Sequence, residues 1–341
     1  MPSSASPITP NTPTERTALW AAARARVDSR LPNNQHQQGL HRNAQSGIQV
    51  LASLRFSAGG DLDKDGAAKL RICLSCGSQI NVEGWRCPAC GWQPKRTDDV
   101  ILFAPHISGE SEGYDPAWFE ELASLEENNF WFVARNRLIQ WMAIKHLGLS
   151  GQYLEVGCGT GFVLQMLHRT FPSWKIFATE AQPEGIQFAR DRVPAGIYYQ
   201  MDACAIPFRE EFDVVGAFDV IEHIKDDVGA ISQIYGALKP NGFFILSVPQ
   251  HRLLWSKYDE VAHHFRRYAA AELHDKLKAA GFVVRKSTSF NSVLFPLMFL
   301  SRWTMNRETS NEFDVLGEMR ISSKLNALMS AALKMEYWLM R

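Results

Sequence analysis

A chain of 341 residues with 36 basic and 36 acidic side chains carries no formal net charge, so no global field draws it to nucleic acid or to an anionic membrane. Its length suits two domains, or one large domain with appendages, and no apolar run approaches the roughly 20 residues that span a bilayer. Of its six cysteines, four form a metal pattern and two lie inside the principal domain, which excludes a secreted disulfide framework and fits a reducing cytoplasm.

Residues 1–68 are rich in Pro, Ser, Thr, Asn, Gln and Gly and poor in acids, with one periodic piece over 14–31. Organelle transit peptides share an Arg-rich, acid-poor character, but no apolar stretch of a secretory signal is present. The composition predicts a disordered extension that takes no part in catalysis.

Residues 69–96 hold Cys73-Leu74-Ser75-Cys76-Gly77 and Cys87-Pro88-Ala89-Cys90-Gly91, two C-x-x-C-G knuckles separated by ten residues. Four thiolates at this spacing suit one tetrahedral ion; structural zinc is favoured, and rubredoxin-like iron uses similar knuckles. A ribbon this small has no core without the ion, so the ion would supply its folding energy. Chelation is therefore expected to unfold the ribbon and leave the rest of the chain intact. Trp85 and Trp92 can cap the site or dock it. The nearby basic residues, Lys69, Arg71, Arg86, Lys95 and Arg96, are as readily a solvated face as a phosphate-binding patch, and the ribbon reads as a structural or docking module. Residues 97–129 read as a linker and a helix.

Residues 130–290 change character. After Phe130-Trp131-Phe132-Val133-Ala134-Arg135-Asn136-Arg137 comes Leu154-Glu155-Val156-Gly157-Cys158-Gly159-Thr160-Gly161, then a helix-like segment over 162–169. Alternating glycines let the backbone turn sharply and approach a ligand closely, and the helix start behind them leaves amides free for a polar ligand. The spacing is G-x-G-x-G with an acid two residues ahead, not the G-x-G-x-x-G of dinucleotide enzymes. Residues 174–180 read as a second strand ending in Glu180, roughly 20 residues past the glycines, where a ribose-binding carboxylate belongs. Residues 198–201 make a third strand, with Asp202 just beyond it. The apolar run 212–218 has the form of a buried parallel strand and delivers Asp219-Val220-Ile221-Glu222-His223 at its C-terminal end, where open α/β sheets place ligands. Fifth and sixth strands follow at 243–248 and 282–288, after helices ended by Pro240 and Gly242 and by Gly281. The alternation predicts an α/β, doubly wound, mostly parallel sheet.

Taken in order, these five motifs resemble the class I S-adenosylmethionine-dependent methyltransferases, and the glycine loop is similar to that family's motif I. The resemblance implies a Rossmann-like domain binding S-adenosylmethionine. Glu155, Gly157, Cys158, Gly159 and Gly161 would form the cofactor loop, and Glu180 would accept from both ribose hydroxyls. Asp202 would sit by the adenine amine, with Ala203 and Cys204 flanking the ring, and Asp219 would also bind the cofactor. The order Asp219-Val220-Ile221-Glu222-His223 is similar to the ubiquinone-pathway O-methyltransferases. In some of that pathway's relatives such acids and His hold a divalent ion, so Asp219, Glu222 and His223 either do so here or shape the pocket.

Residues 249–268 are dense in His, Arg, Tyr, Trp and acid, an odd composition for a mere connector. Their W-S-x-x-D-E…H-x-R-R-Y order looks like a bacterial subfamily of these methyltransferases that carries an N-terminal zinc ribbon, as does the W-F-x-x-R-x-R segment at 131–137, which lids the pocket there. His264, His251 and His223 are the candidates for the base that takes an acceptor's proton. Arg266, Arg267 and Tyr268 read equally as pins that fasten the loop. The N-P-P-Y motif of amino-group methylation is absent after the fourth strand.

The resemblance thus implies a small-molecule acceptor methylated at oxygen, lipid-like or glycosidic, with nucleic acid disfavoured. Two other readings stay open: a zinc-ribbon rRNA methyltransferase, and a non-enzymatic module that binds the cofactor or a partner. Residues 291–341 read as apolar helices that line an apolar pocket, make peripheral contact with a membrane, or simply pack. The family closes its sheet with a seventh, antiparallel strand, and nothing after 286–289 reads as one, so that strand is expected to be missing.

Overall fold

The computed structural model describes residues 47–54, 70–80, 84–97, 100–107, 118–305 and 320–340. In chain order the strands are β1 (Gly47–Leu54), β2 (Leu70–Ile72), β3 (Gln79–Ile80), β4 (Lys95–Thr97), β5 (Val100–Leu102), β6 (Ser150–Val156), β7 (Ser173–Glu180), β8 (Ile197–Gln200), β9 (Phe208–Arg209), β10 (Phe212–Phe218), β11 (Leu238–Pro249) and β12 (Phe282–Phe290). The helices are α1 (Trp118–Glu126), α2 (Phe130–His146), α3 (Phe162–Thr170), α4 (Pro183–Arg192), α5 (Asp227–Ala237), α6 (Lys257–Val261), α7 (Ala270–Ala279), α8 (Phe295–Met305) and α9 (Ser323–Met340).

One sheet organises the molecule, in the order β12-β1-β11-β10-β6-β7-β8-β5-β4. β11, β10, β6, β7, β8 and β5 run parallel, and their near-continuous apolar sequences are buried between helices on both faces. The order reverses between β6 and β10, which opens a crevice at their C-terminal ends. The fold is therefore the doubly wound α/β sheet that the strand pattern predicts.

Two readings of the N-terminal third need correction. Residues 47–54, assigned to a disordered extension over 1–68, form a strand inside the sheet. β1 lies antiparallel between β11 and β12, pairing Gly47–Ser53 with Pro249–Phe243 and Gly47–Leu54 with Phe290–Phe282. Val50, Leu51 and Ala52 are completely buried. The antiparallel strand expected to be missing after 286–289 is thus supplied from the start of the chain. The periodic piece at 14–31 lies outside the described residues.

The cysteine ribbon is likewise built into the domain. β2 pairs with β3 and with β9 in a second, three-stranded sheet. The β4–β5 hairpin extends the main sheet, with Ile101 and Leu102 in register with Tyr199 and Gln200 of β8, so residues 97–129 are more than a linker. Trp85 inserts edge-on against Phe103, Phe208 and Tyr199, at 4.6, 5.5 and 6.2 Å between ring centroids. On its other side it carries the Arg71 guanidinium 4.0 Å from the ring centre. The docking role of Trp85 is the one the structure shows.

Candidate active site

The switch point between β6 and β10 floors a cavity of about 740 Å³. Its first wall is the glycine loop. Gly157 takes φ +68°, and a Cβ there would come within 2.6 Å of Val220. Gly159 takes φ +51°, and a Cβ there would meet nothing within 4 Å, because that side of the residue faces the open cavity. One glycine thus packs the loop against the strand-end turn, and the other leaves room for a ligand to touch the backbone. Behind the loop, Glu126 at the end of α1 accepts from Thr160 Oγ1 and from Arg192 of α4, each at 2.6 Å, and Arg192 also donates to the Thr160 hydroxyl at 2.8 Å. This buried ion pair anchors the loop from both sides.

Glu180, at the end of β7, turns its carboxylate back under the loop. Oε2 accepts from Gly159 N at 2.8 Å, and Oε1 accepts from Ala181 N at 2.8 Å and Gln182 N at 3.2 Å. These three donors fix the group, and the remaining lone pairs stay available to hydroxyls. Burial raises its pKa, against the opposing pull of those three N–H groups. Glu155 is buried on the cavity floor and accepts from Tyr153 Oη at 2.7 Å. Burial pushes its carboxyl up to about 8, against the Tyr153 hydrogen bond and the Arg135 charge. Cys158, Asp202, Ala203 and Asp219 line the same cavity, so all nine positions expected to touch the cofactor, except Gly161, are lining residues. Gly161 N-caps α3 at φ +78°. Asp202 uses Oδ1 to accept from Cys204 N at 2.8 Å, which shapes the turn after β8.

The second wall comes from α2 and from the 249–268 loop. Arg135 reaches from α2 to Asp219 in a mostly buried ion pair, with its guanidinium over the Trp131 ring. Asp219 holds φ +57°, an uncommon conformation for a residue with a side chain, at the end of β10. Asp259, fully buried at α6, accepts from Arg267 Nε at 2.7 Å and lies 2.8 Å from His264 Nδ1. Burial alone would raise the Asp259 carboxyl, but His264 and Arg267 outweigh it and hold it at about 2. A carboxylate on Nδ1 leaves Nε2 as the working nitrogen of His264. The His223 ring stands edge-on to it, 4.6 Å between centroids. Burial and the neighbouring His264 press His223 down to about 3, so it is a neutral imidazole and a weak base.

His264 and His223 line the cavity, and His251 does not. His251 sits before a single turn at Arg252–Leu254 with its ring against Phe295. Arg266, Arg267 and Tyr268 act as the pins the sequence allowed. Arg266 and Tyr268 bond Asp227 at 2.8 and 2.7 Å, and Arg267 holds Asp259 and the Gln250 carbonyl. Arg135 belongs to the segment expected to lid the pocket, whereas Asp259 was not among the expected site residues. The signal that finds Asp259 is the spacing of an acid five residues before His264.

Among the described residues, two groups can hold a metal. The Sγ atoms of Cys73, Cys76, Cys87 and Cys90 lie within 4.8 Å of one another, with Cys73–Cys90 and Cys76–Cys87 each at 3.7 Å. Each knuckle closes with the same turn, Gly77 N to Cys73 O and Gly91 N to Cys87 O, both 2.9 Å. In the cavity, ligand atoms of Glu222, His223 and His264 lie within 4.8 Å of one another. This trio differs from the expected Asp219, Glu222 and His223, because Arg135 occupies Asp219.

Residues 154–246 match the family described as "Methyltransferase domain". Over 167 residues the chain is 28% identical to a Mycolicibacterium smegmatis protein named a probable S-adenosylmethionine-dependent methyltransferase, covering 48% of this chain and 63% of that one. A ubiquinone biosynthesis O-methyltransferase from Methylobacterium nodulans is 24% identical over 50% of this chain and 73% of its own length. Among solved structures, Haemonchus contortus phosphoethanolamine N-methyltransferase 2 superposes with a TM-score of 0.45 at 19% identity, over 67% of this chain and 54% of that one. The chain therefore spans somewhat less than two thirds of the first of these relatives.

Proposed function

We propose, for a chain that carries a class I S-adenosylmethionine-dependent methyltransferase domain, that it transfers the methyl group to an oxygen nucleophile of a small-molecule acceptor. The observation that carries this reading is a single cavity with the glycine loop and Glu180 on one wall and an Asp259-oriented His264 on the other. S-adenosylmethionine supplies, when bound, a methyl group on a sulfonium, whose displacement releases a neutral thioether.

The chain's residues then have distinct tasks. Glu180 accepts from the ribose hydroxyls, and Gly159 admits the ligand against its backbone. Glu155 gives the floor a carboxylate that a cationic ligand can draw into its ionised form. Arg135 and Trp131 cover the cavity from α2 and exclude water. His264 takes the acceptor's proton at Nε2 as the new O–C bond forms, and Asp259 stabilises the resulting imidazolium through Nδ1. Alignment supplies the larger part of the rate, because the leaving group needs no help.

Structural zinc in the four-cysteine site belongs to the same proposal. A tetrahedral ion with Zn–S bonds of about 2.3 Å sets its sulfurs about 3.8 Å apart, and the two 3.7 Å pairs support that geometry. The ion's work there is to hold two knuckles together, far from any proton transfer.

Calorimetric titration with S-adenosylmethionine and its demethylated product tests the core of the proposal. Micromolar binding of both is expected, and Glu180→Ala should weaken each by at least tenfold. Unchanged affinity in that variant would remove the ribose role from Glu180.

A further inference from the structure

The geometry points to an amphiphilic acceptor, whose hydrophobic tail lies in an apolar wing between α8 and α9 while its nucleophilic end faces His264. This deepens the methyltransferase reading and rests on it. Ligand pockets run to roughly 300–1,000 Å³, and this cavity, at about 740 Å³, is lined by residues of α8 and α9 as well as by the groups that would hold a nucleoside. From the glycine loop and Glu180 it passes His264 and Phe290 and continues to Leu294 and Met298 on the α8 side and Met329 on α9. The chemistry differs between the two ends. Carboxylates, imidazoles and backbone amides crowd one, and the other is mostly thioether and aliphatic, with Ser301 and Arg302 of α8 also in its lining.

The wing also opens outward. Leu297 and Leu325 belong both to the cavity lining and to the surface, at 48% and 39% exposure. Leu300 and Leu328 carry the apolar surface further along the same two helices. The cavity lining therefore reaches the surface through mostly apolar side chains, which a compact polar acceptor would leave wet and unused. Large exposed apolar surface of this kind marks a binding site rather than ordinary surface.

The helices are fastened where they would have to be for a binding wing. Asn326 of α9 accepts from Phe130 N and donates to Asn128 O, each at 2.8 Å, and Glu336 accepts from Ser292 N at 2.8 Å. The wing is thus tied to the start of α2 and to the entry of α8. The side of α9 that carries Leu325 and Met329 keeps its place beside the transfer site.

The test titrates the full chain, saturated with S-adenosylhomocysteine, with 4-alkylphenols from methyl to octyl, read by calorimetry. Each buried methylene should tighten binding by up to about fourfold, until the wing is full. Met298→Gln and Met329→Gln should flatten that dependence and leave S-adenosylhomocysteine affinity within twofold, which also reports that the variants fold. Leu297→Gln, at the exposed rim, should flatten it in part without threatening the fold. An affinity independent of chain length, or variants that keep the full dependence, would overturn the assignment. Binding to phosphatidylcholine vesicles without binding to the dispersed phenols would overturn it too, and would give these helices to a lipid surface instead. Failure of S-adenosylhomocysteine itself to bind strikes the methyltransferase reading, and so is distinguished from a failure of the wing.

Discussion

At the residue scale three carboxyl groups lining the cavity are raised by burial above their ordinary range. Burial raises Glu180 and, well above its usual range, Glu222, and it pushes Glu155 to about 8. Glu155 binds more protons folded than unfolded between pH 4.5 and about 8, so its contribution to stability is full below the unfolded value. That contribution falls as pH rises through this window. Glu155→Gln should therefore raise the melting temperature of the free protein at pH 8 while weakening S-adenosylmethionine binding. The wild-type affinity should climb with pH by up to about tenfold per unit and level off near pH 8, since a cationic ligand favours the ionised group. Calorimetry in buffers of different ionisation enthalpy reads the released proton directly; a binding heat that does not depend on buffer sinks the idea. Asp259 makes the opposite case, a carboxylate held at about 2 by His264 and Arg267. Asp259→Asn should free the His264 tautomer, which nitrogen NMR resolves. It should also lower turnover by about 10²–10³-fold, within the range of general-base effects, while cofactor affinity stays put. A fixed Nδ1–H tautomer in that variant would mean that Asp259 does not orient the ring.

At the scale of elements the ribbon and the cofactor pocket share a strand. Phe103 N donates to Gln200 O at 2.9 Å, and the fully buried Gln200 side chain clamps Ala104 through both its N–H and its carbonyl, at 3.0 and 2.7 Å. The same amide donates to Ala181 O at 3.0 Å, one residue past Glu180. Met201, Asp202 and Ala203 follow Gln200 on the cavity wall. Loosening the knuckles would free Trp85 and the β4–β5 hairpin, and with them the edge that carries Gln200 and leads to Asp202 and Ala203, the proposed adenine side. Chelation is thus expected to weaken S-adenosylmethionine binding by on the order of tenfold, within the 1–3 kcal/mol typical of coupled sites, rather than leave it intact as the cysteine spacing alone suggests. Equal affinity before and after metal removal, with the cysteines shown to be free, would separate the two units again. What spacing could show here was the knuckles; what it could not show was the docking, because Trp85, Phe103, Tyr199 and Phe208 meet across more than a hundred residues. By contrast, the strand read at 212–218 is observed at Phe212–Phe218, because a buried parallel strand writes its full length as apolar residues. His264 was legible from its loop, whereas the exclusion of His251 from the cavity depends on a turn at φ +66° that no pattern announces.

At the scale of the whole molecule the sheet is closed by a strand from the opposite end of the chain. Average composition over residues 1–68 hid the eight-residue run Gly47–Leu54, although that run alone has the apolar density of a buried strand. Its two faces serve the two halves of the core. Val50, Ala52 and Leu54 pack into the cluster that includes Phe244, Phe282 and Leu277, and Leu51 packs into the other with Tyr153, Phe218 and Ile245. Burying a Val or Leu side chain is worth about 1.5–3 kcal/mol, and three such residues approach the whole stability of a typical domain, roughly 5–15 kcal/mol. Without β1, the backbones of β11 and β12 would also be unpaired along its length, an invitation to aggregate. Val50→Asp and Leu51→Asp, one on each face, should therefore each abolish cooperative melting or leave the protein insoluble, since an unpaired charge has no partner at either position. An aspartate at exposed Leu149, in the loop before β6, should leave the melting temperature within a few degrees. Soluble Val50 and Leu51 variants that melt like wild type would mean that β11 and β12 do not depend on Gly47–Leu54, and that the chain closes its sheet by other means.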